Sequence, residues 1–354
     1  MTPRLKRVGN FALARGGRAA FTVGNKHRLG EGEMRRIALC LLLVSGVACG
    51  TAAAGEAAQK IAVGKAVSEA WTFLPLDIGQ RYGVFARYGL DLDIIAFQGD
   101  AKLQQGLASD SISFGLGGGP GMAFAAKGAP AIAVAAYFRA PRNISIIVGE
   151  DSPIKTPADL KGRTIAISTT GSLTAWLVQR ISIAQGWGED GIKMAALGGV
   201  TPGLAAMRAG QVDGVIGSTE GGYMLEEKHA GRILLVTDKY APVFITHVIF
   251  ARKALVDSDP ELVTRFLKGF FATVEFMKTH KTETGKVAEE VLKYSPAVAE
   301  KAYQQELGGF EEDGQFDPKA LAVLKSSFVE MGILQSAPKD SDLFTTRFVP
   351  VKLN

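Results

Sequence analysis

Cysteine, histidine and tryptophan are scarce in this sequence of 354 residues, which contains two, four and three of them. Both cysteines, Cys40 and Cys49, lie near the N-terminus, so the rest of the chain offers neither a disulfide nor a thiol nucleophile. His229, His247 and His280 lack metal-ligand spacing, and the sequence has no zinc-protease motif or nucleophile elbow. The sequence therefore predicts a protein that is not an enzyme, with no metal and no cofactor.

The excess of positive charge is confined to the start of the chain. Residues 1–54 contain nine lysines and arginines against two acidic residues, whereas the remainder has 31 basic and 33 acidic residues. A nucleic-acid partner requires clustered basic residues, so none is predicted. With 47% hydrophobic residues and this length, the chain is not disordered and is long enough for two hydrophobic cores.

The segment 34–54 has the layout of a secretory signal peptide. Two arginines precede an apolar run of about 13 residues, and small residues ending at Ala54 follow. The run is shorter than the roughly 20 residues that a membrane-spanning helix needs. Because Met34 could itself initiate translation, residues 1–33 are interpreted as an upstream mis-start or leader extension. The alternative is a twin-arginine or bipartite leader.

Cys49 allows a second interpretation, in which it is the attachment site of a lipoprotein anchor. Gly46 stands where a leucine would be expected for that signal, so cleavage near Ala54 is favoured. The sequence thus predicts an exported, soluble periplasmic protein, with a lipid anchor at Cys49 as the alternative.

After the leader, the order of predicted strands and helices occurs twice. The strands near Ile61 and Ile112 are 51 residues apart, and those near Ile165 and Val215 are 50 apart. This alternation predicts α/β architecture with mainly parallel sheets, in two doubly wound lobes. The helical tail is expected to pack on the first lobe, with a two-crossover hinge near residues 142–148 and 246–251. The predicted boundaries are 55–146 with 248–354 for lobe 1, and 147–247 for lobe 2.

Open α/β sheets bind ligands beyond the carboxyl ends of their strands, next to helix N-termini. Applied to this chain, the rule selects four loops rich in glycine, serine and threonine: 66–72, 117–122, 168–174 and 218–223. Small side chains leave backbone N–H groups accessible in such loops. The loops therefore suit a small ligand held by amides and hydroxyls instead of a metal.

Several segments resemble the type II periplasmic binding proteins of ABC transporters. Residues 152–166 are similar to the beginning of the second lobe in that fold. Residues 80–93, 210–214 and 259–263 are similar to the nitrate/sulfonate/taurine branch, which includes binding proteins for thiamine precursors. The resemblance covers about residues 60–335. It implies capture of a solute between two closing lobes for an ABC importer, without identifying the solute.

Position in the four loops, or beside the first crossover, selects the candidate ligand-binding residues. They are Ser68, Glu69, Trp71, Gly118, Gly119, Tyr137, Arg139, Thr170, Gly171, Ser172, Ser218, Thr219 and Glu220. The spacing of the glycines fits neither a dinucleotide nor a Walker A loop, and the resemblance implies that the backbone comes close to the ligand there. Residues 170–172 match the anion-binding turn of the family; the alternative is an ordinary helix N-cap.

Four of these side chains carry the expectations about solute chemistry. Trp71 would stack on a flat ligand, or be a core tryptophan. Arg139 would pair with a carboxylate or sulfonate, or form a hinge salt bridge. Glu220 would favour an ammonium-bearing or hydroxyl-rich ligand, or lie at the solvated surface. Together with Tyr137, Trp71 and Glu220 favour an organic solute over nitrate.

The sequence therefore predicts a monomeric binding protein whose partners are a small-molecule solute and an ABC permease in the inner membrane. A sensor protein is the alternative partner. The alternative function is that of a thiamine-pyrimidine-precursor enzyme or binder from the related branch. The resemblance implies that this enzyme is cysteine-rich and needs a pocket lysine and histidine, from which this chain departs.

Overall fold

The computed structural model describes residues 57–353, and the predicted leader (1–33) and signal peptide (34–54) lie outside them. The described chain forms ten strands, which are, in order, β1 Gln59–Lys65, β2 Leu90–Ala96, β3 Phe114–Gly118, β4 Ala131–Arg139, β5 Ile144–Val148, β6 Thr164–Ile167, β7 Lys193–Ala196, β8 Gly214–Ser218, β9 Arg232–Val236 and β10 Ile245–Arg252. Between and after the strands lie the α-helices α1 Leu74–Arg81, α2 Asp100–Ala108, α3 Met122–Ala126, α4 Leu173–Ala184, α5 Val200–Arg208, α6 Thr219–Glu227, α7 Lys253–Ser258, α8 Pro260–Thr279, α9 Lys281–Leu292, α10 Pro296–Glu306 and α11 Pro318–Glu330.

The strands form two five-stranded sheets with the same internal plan. The order is β2-β1-β3-β10-β4 in the first sheet and β7-β6-β8-β5-β9 in the second. In each sheet the first three strands are parallel, and the fourth is antiparallel to both neighbours. The repeated strand–helix pattern in the sequence thus corresponds to two sheets of the same topology, and the predicted α/β fold is confirmed.

The chain passes between the two sheets twice. The first passage comprises residues 140–143, between β4 and β5, and the second comprises residues 237–244, between β9 and β10. Both lie a few residues before the predicted crossovers, because β5 is already hydrogen-bonded in the second sheet and β10 in the first. The division into two lobes that move about these passages remains a prediction.

Local sequence signals explain where the helices begin. The Asp259 side chain accepts a hydrogen bond from the Leu262 amide at 3.0 Å, and Pro260 occupies the first turn of α8. From α8, Phe266 stacks on Phe114 of β3 with ring centroids 4.1 Å apart. Both rings are buried, so α8 packs on the first sheet as the apolar stripe of the helical tail predicts.

Earlier in the chain, Asp159 accepts a hydrogen bond from the Thr156 amide at 2.8 Å, as part of a capping box. This contact begins the short 3₁₀ helix Pro157–Leu160, which leads into β6. None of the helices between residues 57 and 353 combines the length and the apolar character that a membrane span requires.

Candidate functional site

A narrow cavity is lined by residues from both sheets and from the loops that follow their strands. It has a volume of about 70 Å³ and is lined by Ala66, Val67, Glu69, Ala70, Phe73, Gly99, Asp100, Gly118, Asn143, Ile144, Ser168, Leu173, Thr174, Gly199, Val200, Ile216, Gly217, Ser218 and His247. Each of the four loops selected from the sequence contributes to this lining. At roughly 10–15 Å³ for a single water, the cavity holds only a few water-sized groups.

The N-termini of four helices meet at the cavity, because each helix follows a parallel strand. Asp100 begins α2, Leu173 begins α4, Val200 begins α5, and Ser218 precedes α6. In α6, Ser218 is the N-cap, and its hydroxyl accepts a hydrogen bond from the Gly221 amide at 3.3 Å. First-turn amides and the positive ends of helix dipoles therefore point toward this space.

Asp100 connects the two sides of the cavity. Its carboxylate accepts a hydrogen bond at 2.7 Å from the amide of Gly118, which ends β3 in the first sheet. Burial raises the pKa of Asp100, while the amides of Gly118 and of Leu173 oppose that rise by stabilising the ionised form. Leu173 begins the helix that follows β6 of the second sheet, whereas Gly118 belongs to the first sheet. The Asp100 carboxylate therefore accepts hydrogen bonds from amides on both sides of the cavity.

His247 lies on β10 and also lines the cavity. Burial lowers its pKa to about 3, so the imidazole is neutral at physiological pH. The ring packs edge-on against Phe73 at a centroid distance of 5.3 Å. A neutral imidazole can donate or accept a hydrogen bond but does not neutralise an anion.

The sequence comparisons assign the chain to a family. A family model described as "NMT1/THI5 like" matches residues 71–284, more than half of the chain. The chain belongs to this family. No curated protein sequence matches it.

Solved structures of periplasmic binding proteins share the fold of this NMT1/THI5-like chain. The alkanesulfonate-binding protein SsuA from Xanthomonas axonopodis pv. citri, bound to MOPS, is 18% identical with a TM-score of 0.69, over 79% of this chain and 94% of SsuA. The aliphatic sulphonate-binding protein SsuA from Escherichia coli is 18% identical with a TM-score of 0.65, over 81% and 92%. The nitrate-binding protein NrtA from Synechocystis PCC 6803 is 14% identical with a TM-score of 0.61, over 77% and 80%. The resemblance to the periplasmic binding protein fold is thus confirmed.

Of the residues proposed from sequence, Glu69, Gly118 and Ser218 line the cavity. The aromatic candidates do not. Trp71 is fully buried and its ring lies edge-on to Tyr303 at 6.3 Å, which corresponds to the alternative of a core tryptophan. Tyr137 is fully buried on β4 beside Phe270, at a centroid distance of 5.0 Å. Hydrophobic packing thus accounts for both rings, and neither is placed to stack on a ligand in this cavity.

Apart from Gly118 and Ser218, the hydroxyl and glycine candidates also lie outside the cavity lining. Thr170 and Gly171 line a separate surface depression, and Ser68 is exposed. Ser172 is the N-cap of α4 and accepts a hydrogen bond from the Ala175 amide at 3.3 Å, which is the alternative considered for this turn. The Thr219 hydroxyl is 2.7 Å from that of Ser145. A local cap thus occupies the Ser172 hydroxyl, and a buried hydrogen bond occupies that of Thr219.

Gly119 and Glu220 are buried behind the lining. A Cβ atom on Gly119 would lie 2.1 Å from the carbonyl oxygen of Ile245, so this glycine is required by close packing of two backbone segments. Glu220 is 1% exposed, and neither of its carboxylate oxygens has a hydrogen-bond partner among residues 57–353. The expectation of a solvated surface glutamate does not hold, and Glu220 does not reach the cavity.

Arg139 lies at the end of β4, where its side chain is 55% exposed and forms an ion pair with Glu311 at 3.1 Å. It lines a surface groove instead of the cavity. The ion pair corresponds to the alternative of a salt bridge near the hinge, and it leaves the anion-clamp interpretation without support from the cavity lining.

Arg139→Ala is therefore expected to leave solute affinity within about twofold of wild type and to lower stability by less than about 1 kcal/mol, as for an exposed ion pair. Calorimetric titration and denaturant unfolding measure both quantities. A loss of affinity of about tenfold or more would restore the anion clamp.

Sequence reasoning missed Asp100, Asn143, Gly199 and the role of His247 in the lining. Asp100 and Gly199 follow strands β2 and β7 and open helices, so the loop rule that selected the other segments would have found them. Asn143 lies in the passage between the sheets and His247 on a returning strand. Only the tertiary structure brings these two residues to the cavity.

Proposed function

We propose that this protein is an exported, periplasmic solute-binding protein that captures a small organic or oxyanionic solute and delivers it to an ABC importer in the inner membrane. The observation that carries the proposal is the narrow cavity described above, whose lining comes from both sheets. A solute in this space contacts both halves of the chain at once. Membership of the NMT1/THI5-like family and the periplasmic binding protein fold support the same conclusion.

Binding, not chemistry, is the work of this cavity. Its lining within residues 57–353 contains no cysteine, lysine or tyrosine, and its one histidine is neutral. No nucleophile is paired there with a base, which acyl transfer and related reactions require. The sequence left one alternative, a binder or enzyme for thiamine-pyrimidine precursors. Including pyrimidines among the solutes tested distinguishes this alternative from the proposal.

The mechanism is a shift of population between an open and a closed form. The two passages, residues 140–143 and 237–244, connect the sheets and supply the hinge. A solute that contacts both sides favours the closed form by its difference in affinity for the two forms. The closed form is the one presented to the permease.

A thermal-shift screen of the purified protein tests the proposal. The panel contains alkanesulfonates, taurine, nitrate, bicarbonate, pyrimidines, aromatic carboxylates and short amines. A solute at about a hundredfold its dissociation constant adds about 2.7 kcal/mol to the free energy of unfolding, which raises the melting temperature. At least one class is expected to produce this shift. A panel without any shift would contradict the proposal.

Val67→Trp places a large ring in the cavity wall and is expected to reduce the affinity of that solute by at least about tenfold. Val291→Trp is the matched control, because Val291 is exposed on α9, outside the lining. Calorimetric titration of both variants measures the difference. If both variants bind like wild type, the solute occupies another site and the cavity is not the binding site.

A further inference from the structure

The charged side chains of the cavity are all acidic. Glu69 and Asp100 belong to the lining, and no lysine or arginine within residues 57–353 does. His247 adds no positive charge, because burial lowers its pKa to about 3. A site built for nitrate or a sulfonate would normally place cationic side chains or uncommitted amides against the oxyanion. The charge of this lining has the opposite sign.

Helix N-termini could still attract an anion, but carboxylate side chains of the protein lie close to the N-termini at this cavity. Asp100 lies in the first turn of α2 and accepts the Gly118 amide at 2.7 Å, with the first amide of α4 also stabilising its charge. A Cβ atom on Gly199, the N-cap of α5, would lie 3.7 Å from Oε2 of Glu69. Glu220 lies in the first turn of α6. Acidic side chains thus already lie at or near the N-termini of these helices.

The lining also contains buried polar atoms without partners. Asn143 is 2% exposed and His247 is 5% exposed. Oδ1 of Asn143 and Nδ1 of His247 have no hydrogen-bond partner among the residues that the structure describes. A carbonyl oxygen only accepts hydrogen bonds, whereas Nδ1 of a neutral imidazole accepts or donates according to its tautomer. The Asn143 oxygen and the carboxylate of Glu69 therefore favour a solute that supplies hydrogen-bond donors.

We infer that the solute is a compact organic cation with N–H donors, such as a protonated amine or amidine. This inference rests on the proposed solute-binding function and names the class of its ligand. Closing the lobes over Glu69 removes a carboxylate from water, which is costly unless a positive charge accompanies it. An ammonium or amidinium group provides that charge and donates to the acceptors of the lining. The cavity, with a volume of about 70 Å³ in this conformation, suits a compact solute.

Calorimetric titration of the purified protein tests the inference with four probes. Ethanolamine and acetamidine are the cations, and methanesulfonate and nitrate are the anions. One of the cations is expected to bind wild-type protein, and Glu69→Gln is expected to weaken it by about tenfold or more because the variant removes the facing charge. Glu189→Gln is the matched control, since Glu189 is exposed and outside the lining.

Asp100→Asn provides a second, independent variant. It keeps the shape of the side chain but removes the negative charge that interacts with the amides of Gly118 and Leu173. The cation is expected to bind more weakly, and methanesulfonate more tightly than to wild type, whereas the exposed control Asp93→Asn changes neither affinity.

Three results overturn the inference. These are anion binding by wild type without cation binding, cation binding that Glu69→Gln leaves unchanged, and binding of none of the four probes. In each case the thermal-shift panel and Val67→Trp still test solute binding separately. A solute that binds in the cavity but carries no positive charge would overturn this inference and leave the proposed solute-binding function intact.

Discussion

Replacing Glu306 by glutamine is expected to raise the free energy of unfolding by about 2 kcal/mol at pH 8 and to change it little at pH 5. Glu306 is 2% exposed, and its carboxylate oxygens have no hydrogen-bond partner among residues 57–353. Burial raises its pKa well above the usual range, and the charge of Glu220 raises it further. At pH 8 the wild-type fold must keep a proton on this group or bury its charge.

Glu220 is in the same situation, because burial raises its pKa to about 7. The unfolded chain releases a glutamate proton near pH 4.3, so between that pH and about 7 the folded state binds more protons than the unfolded state. Stability therefore falls as the pH rises through this window, by up to about 1.4 kcal/mol per pH unit for each such carboxyl group. Glu220→Gln is expected to show the same difference between pH 5 and pH 8 as Glu306→Gln.

Urea unfolding of the wild type and both variants across pH 5 to 8 measures the effect. The matched control is Glu189→Gln, which removes the same charge from an exposed loop position. It is expected to leave the pH dependence of stability unchanged. If the difference in stability between Glu306→Gln and the wild type were the same at pH 8 as at pH 5, the buried carboxylates would not carry the pH dependence.

Gly119→Ala is expected to destabilise the protein by about 3 kcal/mol or more. The added Cβ would lie 2.1 Å from the carbonyl oxygen of Ile245 and 3.3 Å from Cδ1 of Leu324. Ile245 belongs to β10, which is hydrogen-bonded between β3 and β4 inside the first sheet. Ile245 pairs with Arg139 of β4, and from His247 onward β10 pairs with both neighbours. The backbone therefore cannot shift without breaking hydrogen bonds, and the clash is not relieved locally.

Gly285→Ala is the matched control for this substitution. Gly285 lies within α9, and no heavy atom comes within 4 Å of the position of its Cβ. The alanine is expected to stabilise the helix by roughly 0.5–1 kcal/mol. Denaturant unfolding measures both variants, and similar stabilities would contradict the close backbone approach at Gly119.

Much of the fold follows from local patterns along the chain. The strand Thr164–Ile167 and the helix Leu173–Ala184 are recognisable in the sequence by their apolar patterns. Strand and helix periodicities differ, and capping residues such as Ser172 and Asp259 mark where helices begin, so these elements are encoded within short segments. The spacing between equivalent strands also predicted two units of the same plan.

The candidate site was less predictable, because position in a loop does not determine the direction of a side chain. Glu69 and Trp71 are two residues apart in one loop, yet Glu69 lines the cavity and Trp71 packs into the hydrophobic core. The charge of Arg139 suggested that it binds an anionic solute, but its side chain lies at the surface and forms an ion pair with Glu311. Burial and partners depend on segments that are distant in sequence.

The sequence by itself determined the α/β class, the repeated strand order and the loops that reach the cavity, because periodicity, capping and the strand-end rule act over short distances. Only the tertiary structure decided the electrostatic character of the site. It brought Asp100 against the amide of Gly118 and left His247 buried and neutral. The charge that a solute meets depends on which groups share one small volume, and that is a property of packing between distant segments.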